Sequence, residues 1–185
     1  MLSDLQKSKL TVYFNSLDAD RNTVIQKQDF ETHVGYVVAA RNAKPGSPTY
    51  NWVYNKWMKE WARLETFADT NQDGEVTLEE WFDFHDKELQ SDQPYWKIPE
   101  EEGGPTPQEF LFDILDVDGD GEISWHEYSS FLTAYAVAEE LHEEIFQKLD
   151  LDGDGIISRD EWIVLADQFY ADDADAPGNW LMGPY

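Results

Sequence analysis

One stretch constrains this chain more than any other: residues 116–127, reading Asp-Val-Asp-Gly-Asp-Gly-Glu-Ile-Ser-Trp-His-Glu. Asp116, Asp118 and Asp120 fall at positions one, three and five of that dozen. Gly121 at six suits a backbone that must turn sharply through positive φ. Glu122 at seven offers its backbone carbonyl, Ser124 at nine a contact through water, and Glu127 at twelve two carboxylate oxygens. Ile123 at eight is apolar and suited to face a counterpart in a second loop. A solvated acidic turn does not require glycine at six, an apolar residue at eight and glutamate at twelve together. A twelve-residue loop that wraps a hard divalent cation such as calcium in six to eight oxygens at about 2.3–2.6 Å accounts for all three.

The dozen recurs, which makes it the EF-hand loop repeated along the chain. Residues 150–161 carry Asp150, Asp152 and Asp154 at one, three and five, Ile156 as the carbonyl at seven and Glu161 at twelve. Residues 69–80 carry Asp69, Asn71, Asp73, the carbonyl of Glu75, and Glu80. Residues 18–29 carry Asp18, Asp20, Asn22, the carbonyl of Val24, and Asp29. This first loop departs twice from the rule. Thr23 stands where glycine belongs at six, and a β-branched residue is a poor host for positive φ. Asp29 replaces glutamate at twelve, and its shorter arm reaches an ion less easily with both oxygens, which moves the site toward six-coordination and magnesium. Ligand charge ranks loops three and four, with four carboxylates each, above loops one and two, with three and an asparagine, and the two departures put loop one last. Such loops work in pairs, so Ile25 is expected opposite Val76 and Ile123 opposite Ile157.

Between the loops the pattern is helical. Ser3 and Gln6 read as a capping box ahead of Leu10, Phe14 and Leu17 on one face. Phe30, Val34, Val37 and Val38 leave loop one, and residues 41–49 form a linker that ends with Ser47 as cap and Pro48 in the first turn. Tyr50, Tyr54, Trp57, Trp61, Leu64 and Ala68 then follow at three- and four-residue steps, a stripe whose ordinary meaning is core packing rather than a ligand pocket. Residues 90–106, with Pro94, Pro99, Gly103, Gly104 and Pro105, cannot form one continuous helix. Thr106, Pro107 and Glu109 make a second capping box. An aromatic follows each loop at once: Phe30, Trp81, Tyr128, Trp162.

The expectation is an all-α fold of two EF-hand pairs packed against each other. Residues 1–90 form the first pair, 91–106 a linker and 107–171 the second pair, with 172–185 a tail that packs on the core. The tail's Trp180, Leu181 and Met182 would expose apolar surface for nothing if it frayed. A hydrophobic content of 41% argues against disorder despite a net charge of −26. That charge repels nucleic acid and anionic membranes and draws cations, of which four divalent ions would remove about 8 charges. With no cysteine, disulfides and thiolate zinc sites are excluded. No cleavage pattern and no membrane-length apolar run occur, so a cytoplasmic monomer without stable membrane insertion is expected.

The four-loop layout, the long spacing from first to second loop, Asp29 at twelve and the tail Gly178-Asn179-Trp180-Leu181-Met182-Gly183 resemble the invertebrate sarcoplasmic calcium-binding proteins. The similarity to the calexcitin family is about as close: Leu2-Ser3-Asp4, Val76-Thr77, Glu79-Glu80-Trp81 and Gly178-Asn179. The resemblance implies one compact helical domain, high-affinity calcium and magnesium binding, and a cytosolic role as buffer or calcium-triggered signal. Members often have silent hands, whereas this sequence retains four. Calmodulin-type sensors expose a methionine-rich groove, but this chain has only Met1, Met58 and Met182, which favours a buffer.

Two rivals share the architecture. Photoproteins and luciferin-binding proteins enclose an aromatic ligand, and eight tryptophans make that reading worth weighing. The photoproteins that resemble this fold place a histidine on the last helix, yet no histidine follows His142 here, although Pro184-Tyr185 end the chain suggestively. His33, His85, His126 and His142 read as surface or packing residues. The other rival is a sensor that docks a protein partner, which the sequence does not identify. Catalysis has no nucleophile–base pattern or phosphate-cradling loop to support it.

Overall fold

The computed structural model describes residues 1–98 and 106–185. Part of the linker expected over 91–106, including Pro99, Gly103, Gly104 and Pro105, lies outside the described residues. The described residues are helical apart from four short strands and the connections. The elements run α1 (Asp4–Leu17), β1 (Val24–Gln26), α2 (Lys27–Ala40), α3 (Pro48–Phe67), β2 (Glu75–Thr77) and α4 (Leu78–Leu89). They continue with α5 (Pro107–Leu115), β3 (Glu122–Ser124), α6 (Trp125–Ala134), α7 (His142–Leu149), β4 (Ile156–Ser158) and α8 (Arg159–Tyr170). Single 3-10 turns cover Tyr95–Lys97, Glu139–Leu141 and Pro177–Trp180.

Local chemistry starts the helices where the sequence says. The Ser3 N–H donates to Gln6 Oε1 (3.0 Å) and the Gln6 N–H to Ser3 Oγ (3.1 Å), which closes the capping box of α1. Ser47 Oγ accepts the Tyr50 N–H ahead of Pro48, and the Thr106 N–H donates to Glu109 at 2.9 Å. Every strand is a three-residue piece of a loop, and the strands pair antiparallel as β1–β2 and β3–β4. Ile25 lies opposite Val76 and Ile123 opposite Ile157, as the position-eight pairing predicts. All four of these side chains are fully buried.

The chain divides into two compact units, one of Met1 with residues 13–94, the other of residues 2–12 with 95–185; the division falls inside α1. In the first unit α2 lies along α3, and Phe30 meets Trp57 and Trp61 at centroid distances of 5.5 Å. His33 stacks on Trp57 at 5.0 Å. The aromatic stripe of α3 is therefore core from Trp57 to Ala68, with Tyr50 and Tyr54 half-buried and stacked on each other. Tyr13 and Phe14 set their rings edge-on to Trp81.

In the second unit Phe112, Tyr128, Leu132, Ile145, Leu149, Trp162 and Leu165 are buried, and so are Ala176, Asn179, Leu181 and Met182 of the tail. The tail lies on α7 and α8. Gly178 sits so close to α8 that a Cβ there would fall 2.1 Å from the Leu165 carbonyl oxygen. Tyr128 donates its hydroxyl proton to the Leu181 carbonyl at 2.9 Å. Lys9, buried, donates from Nζ to the carbonyl of Ala171 and to Asn179 Oδ1, both at 2.7 Å. Burial lowers the Lys9 ammonium to a pKa of about 8, although Asp172 and Asp173 pull it back up. Among the described residues no helix is long and apolar enough to cross a membrane.

Candidate metal centres

Each twelve-residue loop is built by its own hydrogen bonds. The carboxylate at position one is the hub. Asp69, Asp116 and Asp150 each accept the N–H groups of positions four, five and six at 2.7–3.3 Å. Asp18 accepts those of Asn22 and Thr23 in the same way. Folding these N–H groups back onto the residue at position one goes with left-handed backbone at positions four and six. Arg21, Gln72, Gly119 and Gly153 hold positive φ at four, and Thr23, Gly74, Gly121 and Gly155 at six. Thr23 therefore takes a φ of 74° despite its branched side chain. Only the glycines of loops three and four hinted at the requirement at position four.

Position seven is fixed by the strand it opens. Val24, Glu75, Glu122 and Ile156 are the first residues of β1 to β4. Each donates its N–H to the side chain at position five, namely Asn22, Asp73, Asp120 or Asp154, at 3.0–3.1 Å.

Position twelve closes the loop. Glu127 Oε1 accepts the Val117 N–H (2.7 Å) and Oε2 the Ser124 N–H (2.9 Å) and hydroxyl (2.8 Å). Glu161 repeats this with Leu151 and Ser158, and Glu80 with Thr70 and Thr77. The Ser124 hydroxyl, expected to act through water, spends its proton on Glu127. Asp29 makes the same backbone bonds despite its shorter arm, to Ala19 (3.0 Å) and Gln26 (2.8 Å), and is buried. Burial raises the carboxyls of Glu80, Glu127 and Glu161, yet the hydrogen bonds together outweigh it and hold all three below the ordinary carboxylate range. For Asp29 burial prevails over the bonds from Gln26, Asp20 and Ala19, and its carboxyl is pushed up.

Three clusters bring carboxylate oxygens within 4.8 Å of one another: Asp18 with Asp20 and Asp29, Asp116 with Asp118 and Glu127, and Asp150 with Asp152 and Glu161. Oxygens on opposite sides of one calcium ion lie about 4.6–5.2 Å apart, so the residues fit the ion. The donors are oxygen throughout, the chemistry of a hard cation. Loop two has an amide at three instead of a carboxylate, and Asn71 Nδ2 donates to Asp73 Oδ2 at 2.9 Å. Loop one has its amide at five, where Asn22 Nδ2 donates to Asp20 Oδ2 at 3.1 Å. The histidines stand apart from the loops' donor sets. His33, His85 and His142 are buried, and burial lowers the His85 imidazole to a pKa of about 3.

Comparison with known proteins agrees with this geometry. A family model described as an EF-hand domain pair matches residues 108–163, and one described as an EF hand matches residues 66–84. Two sets of sarcoplasmic calcium-binding proteins of Branchiostoma lanceolatum, I, III and IV in one and II, V, VI and VII in the other, are each 28% identical over 139 residues, spanning 70% of this chain and 70% of their own. Among solved structures, a sarcoplasmic calcium-binding protein from amphioxus covers 100% of both chains with a TM-score of 0.79 at 24% identity. The calcium-loaded apo form of the coelenterazine-binding protein of Renilla muelleri also covers 100% of both, with a TM-score of 0.71 at 18% identity. These two structures share the fold.

Proposed function

We infer that this chain, an EF-hand calcium-binding protein similar to the sarcoplasmic calcium-binding proteins, acts as a cytosolic calcium buffer with magnesium as a competing ion at loop one. The observation that carries this reading is the common closure: in all four loops the carboxylate at twelve is tied to the backbone of positions two and nine. We assign the ligands of each ion to the side chains at one, three, five and twelve and the carbonyl at seven. In the metal-free protein these carboxylates repel one another. A bound ion offsets the repulsion and stabilises the fold by about 2.7 kcal/mol per site at a hundredfold excess over its dissociation constant.

The buffer role rests on the second unit's tail. Leu181 and Met182 are buried, and Gly178 is seated on α8, the exit helix of loop four. A docking sensor needs apolar surface that appears with the ion, whereas this surface is already covered by the chain itself. Calorimetric calcium titration with and without magnesium, followed by a dye that lights up on apolar surface, tests the reading. Four sites are expected, with loop one weakened most by magnesium and dye signal nearly unchanged by calcium. A large calcium-dependent gain in dye signal would transfer the protein to the sensor class.

A further inference from the structure

Position nine does the same work in three of the four loops. Thr77, Ser124 and Ser158 each turn a hydroxyl onto the closing glutamate of their own loop, at 2.9, 2.8 and 2.7 Å. Gln26, the residue at nine in loop one, does something else. Its backbone N–H still donates to Asp29 Oδ2 at 2.8 Å, but its side-chain nitrogen turns to the neighbouring loop, and Nε2 donates to Glu75 Oε1 at 2.7 Å. Glu75 is position seven of loop two, directly opposite Gln26 in the β1–β2 pair. Its own N–H holds Asp73 Oδ1 at 3.0 Å.

One residue thus touches the closing carboxylate of loop one and the carbonyl-bearing residue of loop two, and the connection runs Asp29–Gln26–Glu75–Asp73. The second pair lacks it. There Ser124 faces Ile156, which has no polar side chain, and Ser158 faces Glu122 but spends its hydroxyl on Glu161. We propose that Gln26 is a positioning residue that couples ion binding in loop one to ion binding in loop two through its side-chain bond to Glu75. This rests on the ligand assignment above. An ion that fixes Asp29 also fixes the Gln26 backbone, and through it the orientation of Glu75, so the second ion finds position seven already held. Conformational freedom that the first ion removes need not be removed again by the second.

The test is a site-resolved calcium titration of the full chain by amide NMR. The Thr23 and Gly74 amides, bonded to Asp18 and Asp69, report loops one and two. Coupling is read as the loss of loop-two affinity when Asp18→Asn disables loop one. A net hydrogen bond corresponds to about a two- to tenfold effect, so Gln26→Ala should shrink that loss by about this factor. Gln26→Glu, which sets two carboxylates against each other, should shrink it as well. The swapped pair Gln26→Glu with Glu75→Gln restores a donor and an acceptor and should restore the coupling, which a merely structural role would not do. Equal coupling in wild type and Gln26→Ala overturns the proposal, as does a swap without rescue. If neither amide responds to calcium in the wild type, the ligand assignment falls and the coupling falls with it.

Discussion

Thr23 is the residue of loop one whose backbone is most at odds with its side chain, and replacing it with glycine measures the conflict. At a φ of 74° the Cβ crowds the following carbonyl, at a cost of about 1–2 kcal/mol for an L-residue. Glycine removes that cost but brings chain freedom that folding must take away, about 0.5–1 kcal/mol. The net gain is about 0.5–1 kcal/mol. If the loop takes this shape only around an ion, the gain belongs to binding, and Thr23→Gly should raise loop-one calcium affinity about two- to fivefold. If the Asp18 carboxylate holds the shape without an ion, through the Asn22 and Thr23 N–H groups, the gain appears in the unfolding free energy of the calcium-free protein. Titration and chemical denaturation in chelator, run on the same samples, apportion it. Thr23→Ala is the control, because it loses the branch and keeps the Cβ. Should alanine equal glycine in both readouts, or glycine gain in neither, strain at position six is not what sets loop one apart.

Three further outcomes are expected. Glu127→Gln removes the closing charge of loop three and should leave calorimetry with one site fewer; an unchanged count would refute the assignment of that ligand. Gly178→Ala places a methyl 2.1 Å from the Leu165 carbonyl and 2.7 Å from Gln168 Cβ, so the tail must lift. A stability loss of about 1–3 kcal/mol and new protease sensitivity near the C-terminus should follow, and a wild-type melt would count against the seat on α8. The last concerns alkaline pH. Lys9 titrates near 8 in the folded protein and at 10.5 unfolded, so between these values the unfolded chain binds more protons and stability rises with pH. Buried Tyr13 and Tyr128, raised above their usual 10 by burial, reverse the sign beyond that value, because only the unfolded chain releases those protons. Denaturation curves across this range should peak near 10, and Lys9→Met should flatten the rise.

What was legible in the sequence and what was not divide along a physical line. The loops could be read because metal chemistry dictates residue types one by one: oxygen at fixed steps, glycine where φ is positive, an apolar residue at eight. The helix starts at Ser3, Ser47 and Thr106 could be read because a cap acts on the residue three places on. The β pairing followed from position eight alone. Position four stayed hidden, since Arg21 and Gln72 give no sign of a left-handed backbone that only Gly119 and Gly153 suggest. Gln26 stayed hidden because its meaning lies in register: nothing in a glutamine at nine says that a glutamate from loop two will stand across from it. Lys9 is the extreme case. A lysine within a capped helix reads as solvated, and it is buried here only because Asn179, 170 residues away, and the end of α8 supply its acceptors. A composition with 39 acidic side chains makes the same point from the other side. In such a chain a buried ammonium is informative because so many carboxylates were free to hold it at the surface, and main-chain and amide oxygens hold it inside instead.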